Sequence, residues 1–254
     1  MHPSAETTRI TSFIKTVLKE QGFQNVVIGV SGGIDSTVSF SLLAKSISSQ
    51  NIYVAHLYYF KSQINLIKPM LEKVNIPQKN IYNISIKNAV NALEKAGSLT
   101  KASKDYSTRL GNIMARVRMI ILYDLAKKHK GLVCGTENKS EFYLGYFTRF
   151  GDEASDFEPI QHLYKTQIYN LAKHMEIPQN IIDQVPTAGL WTGQTDEGDF
   201  GFSYKEGDAV LYLHFEKKNT ISEIVSKGFP NAKKIIDRAR KNSFKHHLPY
   251  AIGT

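Results

Sequence analysis

The stretch NVVIGVSGGIDSTVSFSLLAKSI, residues 25–47, decides the fold. Its first six residues form an apolar, β-branched run of strand length, and TVSFSLLAKSI returns to helical spacing. Between them lies the glycine-containing turn SGGIDS. The order strand, loop, helix places GVSGGIDS, from Gly29 to Ser36, at the C-terminal end of a strand, where open parallel sheets bind ligands. Gly32 and Gly33 allow a close backbone approach to an anion, and Ser31 and Ser36 offer hydroxyls. Free N–H groups of the following helix complement negative charge, so the loop, with Gly29, Val30 and Ile34, suits phosphate. No lysine follows the glycine pair, and the spacing is not GxGxxG. P-loop kinase and dinucleotide dehydrogenase readings are therefore disfavoured. Asp35 repels a phosphate unless a cation stands between the two, and Mg²⁺ supplies that bridge.

Working outward, Phe13, Ile14, Val17 and Leu18 mark one stripe of a helix that Gly22 ends through a left-handed cap. Downstream, NIYVAHLYY (51–59), NIYNISI (80–86) and GLVCGT (131–136) read as strands. Between them come LIKPMLEKV, a helix entered near Pro69; IKNAVNALEKAG, ended by Gly97; and a long helix from about Asn112 to His129. NKSEFYL (138–144) is helix-compatible, a further helix begins near Lys165, and residues 205–247 read as helices carrying a basic run. Strands alternating with helices require crossover connections, so the class is α/β with a doubly wound, mostly parallel sheet of five strands and helices on both faces. Neither repeat nor linker divides the chain, and one domain over residues 1–254 is expected.

The 254 residues carry 32 Lys plus Arg against 23 Asp plus Glu, a net +9, with 42% hydrophobic residues, which excludes a mostly disordered chain. Cys134 is the single cysteine, so neither an intramolecular disulfide nor a cysteine-based zinc cluster can form; on its apolar strand it reads as a core residue. That usage, with neither signal peptide nor eighteen-residue apolar run, leads us to expect a cytoplasmic protein without membrane partners. His246 and His247 are adjacent on a basic helix and read as solvated rather than as ligands.

SGGIDS matches the SGGxDS loop of the ATP pyrophosphatases, which adenylate a substrate and release pyrophosphate. GNIMARVRM (111–119), GTENKSE (135–141), FTRFGDEASD (147–156), LYKTQIYNLA (163–172), PTAGLWTGQTDEGDFGFSY (186–204) and SFKHHLP (243–249) follow in order. Together they resemble the ammonia-dependent NAD synthetase family over nearly the whole chain. The resemblance implies a Rossmann-like, adenine nucleotide alpha hydrolase-like fold. It also implies a carbon–nitrogen ligase that uses ATP and free ammonia to amidate deamido-NAD through an acyl adenylate, yielding NAD, AMP and pyrophosphate. At 254 residues no amidohydrolase domain like that of glutamine-dependent relatives is expected, so free ammonia is the expected nitrogen donor.

By position, the resemblance assigns ATP to Gly29–Ser36, Thr136, Lys165 and Thr187, and Mg²⁺ to Asp35 and Glu141, both hard oxygen donors. It assigns deamido-NAD to Asn112, Arg116, Tyr123, Arg149, Asp156 and Lys245, with Arg118 meeting ATP or a helix neighbour. Asp152 is a candidate for handling the ammonia proton. Asp196 and Asp199 lie in a segment, about 188–201, that resembles the family's mobile loop, and exclusion of water would protect the acyl adenylate. Gly189 replaces the usual carboxylate of PTADL, and Phe244 replaces the histidine of a His-Lys pair. The family's homodimers bind the dinucleotide across the interface, for which the helix bearing Asn112, Arg116 and Tyr123 is the expected contact. Two other readings stay open at this point. One is an ATP pyrophosphatase adenylating a tRNA base, favoured by charge but lacking a cysteine pair and an RNA-binding region. The other is a non-catalytic nucleotide binder, which would make no AMP.

Overall fold

A computed structural model describes residues 1–247; residues 248 and 249, the end of the SFKHHLP motif, lie outside the described residues. In chain order the main elements are α1 (Pro3–Gln21), β1 (Asn25–Gly29), α2 (Ile34–Ser46), β2 (Ile52–Tyr58), α3 (Ile64–Lys73), β3 (Ile81–Ser85), α4 (Lys87–Ala96) and α5 (Tyr106–His129). Then come β4 (Gly131–Cys134), α6 (Lys139–Leu144), α7 (Lys165–His174), α8 (Gln179–Ile182), α9 (Asp196–Phe200), α10 (Tyr204–Leu211), α11 (Ile221–Ser226) and α12 (Ala232–Asn242). Gly22 caps α1 at φ +72°, in the left-handed region the spacing required.

Among the described residues the sheet has four parallel strands in the order β3-β2-β1-β4, one fewer than expected. Where a fifth strand would lie beside β4, a single parallel bridge joins Cys134 to Phe157. Pro159 follows almost at once and has no N–H with which to extend a ladder. The side chain of Asp156 substitutes for a neighbouring backbone, accepting the Val133 N–H at 2.7 Å.

Successive side chains of a strand point to opposite faces, and the core divides accordingly. Val26, Ile28, Ile52, Val54 and Cys134 pack beneath α1, α2 and α7, whereas Val27, Ala55 and Val133 pack against α4 and α5. Each large side chain fully buried in these layers contributes about 1.5–3 kcal/mol. Two further boundaries shift because burial overrode local signals. Helix α3 begins at Ile64 and carries Pro69 in its interior, since Ile67, Met70 and Leu71 form its buried stripe. Helix α5 begins at Tyr106, six residues before Asn112, to bury Leu110. A third cluster, from Leu144, Val210, Leu211, Ile235 and Ile236, joins α6, α10 and α12. The strand order reverses between β1 and β4, and the loops at their C-terminal ends face each other there.

Candidate active site

The β1–α2 loop is set by backbone contacts and its own serines. Gly32 sits at φ +99°, and no side chain caps α2 at Gly33, leaving the helix N-terminus open to an anion. Ser31 and Ser36 hydroxyls are 3.1 Å apart, Ser31 Oγ accepts the Gly33 N–H, and Ser36 Oγ donates to the Gly33 carbonyl. His56 fastens the loop from below. Its Nδ1 donates to the Val30 carbonyl at 2.9 Å while Nε2 accepts the Gln63 N–H at 3.0 Å, which fixes the neutral tautomer.

From β4 the chain runs into α6 through an N-x-x-E capping box. Asn138 Oδ1 accepts the Glu141 N–H at 3.0 Å and Glu141 Oε2 accepts the Asn138 N–H at 3.3 Å. Asn138 Nδ2 reaches Asp35 Oδ1 at 3.1 Å, so one side chain ties the two loops together. Lys165 opens α7 with only 3% of its side chain exposed, and its Nζ pairs directly with Asp35 Oδ2 while standing 3.9 Å from Glu141 Oε1. Burial alone would lower the lysine, but Asp35 and Glu141 outweigh it and hold it above its ordinary value. Burial and the charge of Asp35 push Glu141 up, against Lys165. Two carboxylates thus share one ammonium. The hard oxygen donors of Asp35 and Glu141 fit a divalent cation such as Mg²⁺, whose charge would favour the ionised form of Glu141.

These groups line a cleft of about 680 Å³, together with Gly29, Val30, Ile34, Thr136, Arg118, Asp152, Thr187 and Asp196. Thr187 is exposed, and its Oγ1 accepts the Gly189 N–H at 3.0 Å. Asp196 is buried; its Oδ2 accepts the Tyr204 hydroxyl at 2.9 Å while Oδ1 is buried without a partner, and burial raises its carboxyl. Asp199 turns elsewhere, accepting from Tyr146 at 2.7 Å and Gln194 at 2.9 Å. Asp152 Oδ1 accepts the Thr148 N–H at 2.8 Å. Asp152 is exposed at the cleft, and desolvation by the surrounding protein nevertheless raises its carboxyl against the Thr148 hydrogen bonds and the Arg118 charge. Arg118 Nε donates to the Leu57 carbonyl of β2 at 3.1 Å, a strand partner rather than a helix neighbour, and the side chain also lines the cleft.

The remaining expected residues lie outside the cleft walls. Asn112 Oδ1 accepts the Thr148 hydroxyl at 2.8 Å, and the Arg116 guanidinium donates to the Arg149 carbonyl at 3.2 Å, gathering them at the 148–152 turn. The Arg149 guanidinium in turn donates to the His247 carbonyl. Tyr123 lies farther along α5, its hydroxyl pushed up to about 12 by burial and by Asp156 and Glu153. Lys245 donates to the Gly145 and Phe147 carbonyls at 2.7 Å each. Cys134 is buried, as its strand setting required. His246, expected in solvent, instead stacks on Phe142 at 4.1 Å with Nε2 2.6 Å from the Phe142 carbonyl.

His56, Asn138, Tyr146, Gln194 and Tyr204 were missed as site residues. Only Asn138 had a local signal, its N-x-x-E spacing to Glu141.

A family model described as NAD synthase matches residues 6–249. The NH(3)-dependent NAD(+) synthetase of Chlorobium phaeobacteroides (strain BS1) is 37% identical over 248 residues, 94% of this chain and 86% of the relative. Among solved structures, NMN synthetase from Francisella tularensis superposes with a TM-score of 0.83 at 30% identity over 100% of both chains. NH3-dependent NAD synthetase from Campylobacter jejuni, in complex with the nitrate ion, gives 0.81 at 29% identity over 99% of this chain and 100% of that one.

Proposed function

Because the chain belongs to the NAD synthase family, we propose that its cleft activates the nicotinate carboxylate of deamido-NAD with ATP and transfers the acyl group to free ammonia. The chain is an enzyme of the carbon–nitrogen ligase class and acts in ammonia-dependent NAD synthesis. The observation that carries the finer reading is the Lys165 ammonium lodged between Asp35 and Glu141 beside an uncapped helix N-terminus.

In this reading the loop Gly29–Ser36 receives the β and γ phosphates, with Thr136, Thr187 and Lys165 around the nucleotide. Asp35 and Glu141 hold Mg²⁺, whose chemistry is to neutralise the charge that builds on the departing pyrophosphate. The nicotinate oxygen bonds to the α-phosphorus as the bond to the bridging oxygen breaks. Ammonia nitrogen then bonds to the acyl carbon, the bond to AMP breaks, and Asp152 accepts the nitrogen's proton. Asp196 and Asp199 serve the segment of about 188–201, which closes over the reacting groups, Asp199 through the bonds to Tyr146 and Gln194 that fasten it.

A homodimer built on α5 would bring Asn112, Arg116, Tyr123, Arg149, Asp156 and Lys245 to a dinucleotide at the interface. Ile120, 58% accessible midway along that helix, is the side chain through which this placement can be tested. Sedimentation of Ile120→Glu is expected to give monomers; an unchanged mass would place the interface elsewhere.

The decisive assay supplies ATP, Mg²⁺, deamido-NAD and ammonium and measures NAD and AMP together. Without ammonium, deamido-NAD alone should support exchange of labelled pyrophosphate into ATP. No exchange and no AMP would leave a nucleotide binder. Likeness to the Francisella protein favours a second acceptor, the corresponding mononucleotide, which offers the same nicotinate carboxylate; the ratio of kcat/KM for the two acceptors ranks them.

A further inference from the structure

Behind the cleft, on the far side of α6 and α7, Asp208 of α10 is only 5% exposed and does not line the cleft. Its Oδ1 accepts the Ser140 hydroxyl at 2.5 Å, and its Oδ2 accepts both the Thr166 N–H and the Thr166 hydroxyl at 2.8 Å. Ser140 Oγ in turn accepts the Lys165 N–H at 2.9 Å. Two first-turn donors of α7, which a helix cannot satisfy internally, are therefore satisfied from α6 and α10. The chain order gives this meaning, because Ser140 immediately precedes Glu141 and Thr166 immediately follows Lys165.

We propose that Asp208 is a positioning residue for the reaction: by joining the first turns of α6 and α7 it sets the spacing between Glu141 and Lys165, and with it the geometry of the cation site. This rests on the reading of Glu141 and Lys165 as cation and phosphate groups. Asp208 touches no substrate. A carboxylate suits the place because all three contacts arrive as donors and because negative charge is favoured at helix N-termini. An amide of the same shape holds the clamp less well, since its one oxygen can serve Thr166 or Ser140 but not both, and its NH₂ removes the acceptor of the Ser140 hydroxyl or opposes the Thr166 N–H. Displacements near 1 Å in a reacting constellation cost about 10²-fold in rate, so a loosened spacing is readable.

The test is calorimetric titration of ATP into the whole protein with Mg²⁺ and again with EDTA; the ratio of the Kd in EDTA to the Kd in Mg²⁺ isolates the metal's part in binding. Asp208→Asn is expected to lower that ratio at least about fivefold and to raise the Mg²⁺ concentration for half-maximal NAD formation about tenfold, as a displaced ligand should. KM for deamido-NAD should stay within about twofold, because the dinucleotide's expected contacts do not involve this clamp. Ser140→Ala, which removes one arm only, should move the ratio in the same direction by less, and it decides the matter if Asp208→Asn does not fold. Glu141→Gln should lower the ratio most. An unchanged ratio in Glu141→Gln would overturn the cation-site reading itself. A ratio lowered in Glu141→Gln but unchanged in folded Asp208→Asn and Ser140→Ala would overturn the clamp alone.

Discussion

Two pairs of buried or half-buried acids stand close together in this molecule and have different partners. Asp35 and Glu141 share the Lys165 ammonium. Glu137 and Glu158 have only neutral partners. Glu137 Oε2 accepts the Gln161 amide at 2.7 Å and leaves Oε1 buried and unpaired, while Glu158 accepts the Ser155 hydroxyl and the Glu137 N–H. Burial pushes Glu137 up to about 9 and Glu158 up to about 8, so both hold their protons near neutrality. Burial raises a glutamate in each pair, Glu141 as well as Glu137, and the difference is that an ammonium opposes the shift only in the first. The first pair is equipped to exchange positive charge with a ligand, and the second is neutral scaffolding.

The most severe way to break this contrast is Asp35→Ala, which removes the acid paired with Lys165. NAD and AMP formation should both fall by on the order of 10³-fold, as when a preorganised charge-stabilising group is lost. Rates within tenfold of the parent, in a protein with unchanged near-ultraviolet dichroism, would detach Asp35 from the cation. Next in size, Lys165→Met leaves the acids without their ammonium. Urea unfolding in EDTA should show a loss of about 3 kcal/mol, as for a broken buried pair, with Mg²⁺ restoring part of it. A loss that Mg²⁺ cannot touch would mean that the pair does not accept a replacement cation.

The second pair is sharpened by pH. Glu137 has a folded value near 9 against an ordinary 4.5, so between those values the folded chain binds more protons than the unfolded one. Its contribution to stability is therefore full below about pH 4.5 and lost as pH rises toward 9, at up to about 1.4 kcal/mol per pH unit. Urea midpoints from pH 5 to 9 should accordingly decline less steeply in Glu137→Gln than in the parent; parallel declines would show Glu137 to be charged when folded. The smallest effect is expected at Gly135, where an added Cβ would land on the Glu158 carboxylate. Gly135→Ala should cost about 1 kcal/mol by crowding, with Glu158→Ala relieving it in the double variant.

Sequence made the first pair legible and hid the second. The glycines and serines of SGGIDS form a local pattern that marks Asp35, whereas Glu141 was legible only through the resemblance that GTENKSE carries, and the strand–helix alternation placed both loops at one end of the sheet. Glu158 has no such pattern; its meaning comes from contact with the Glu137 backbone, 21 residues away. Tyr204 and Asp208 were hidden for the same reason, since Asp208 meets Ser140 across 68 residues and apolar periodicity records only that α10 has a buried side. The absent fifth strand and the interior Pro69 show the complementary error, in which a local signal was overridden by what the neighbouring element could pair with or bury.

The hydrogen bonds around Asp156 have a bearing on how copies of this chain meet. The Val133 N–H is taken by the Asp156 carboxylate, the Val133 carbonyl by the Asp156 N–H, and the Gly135 N–H by the Phe157 carbonyl. Backbone groups that an exposed outer strand would offer to a stranger are already engaged along this flank. The protein is thereby guarded on that side against runaway strand-to-strand stacking, and anything that approaches this flank would meet side-chain surfaces instead.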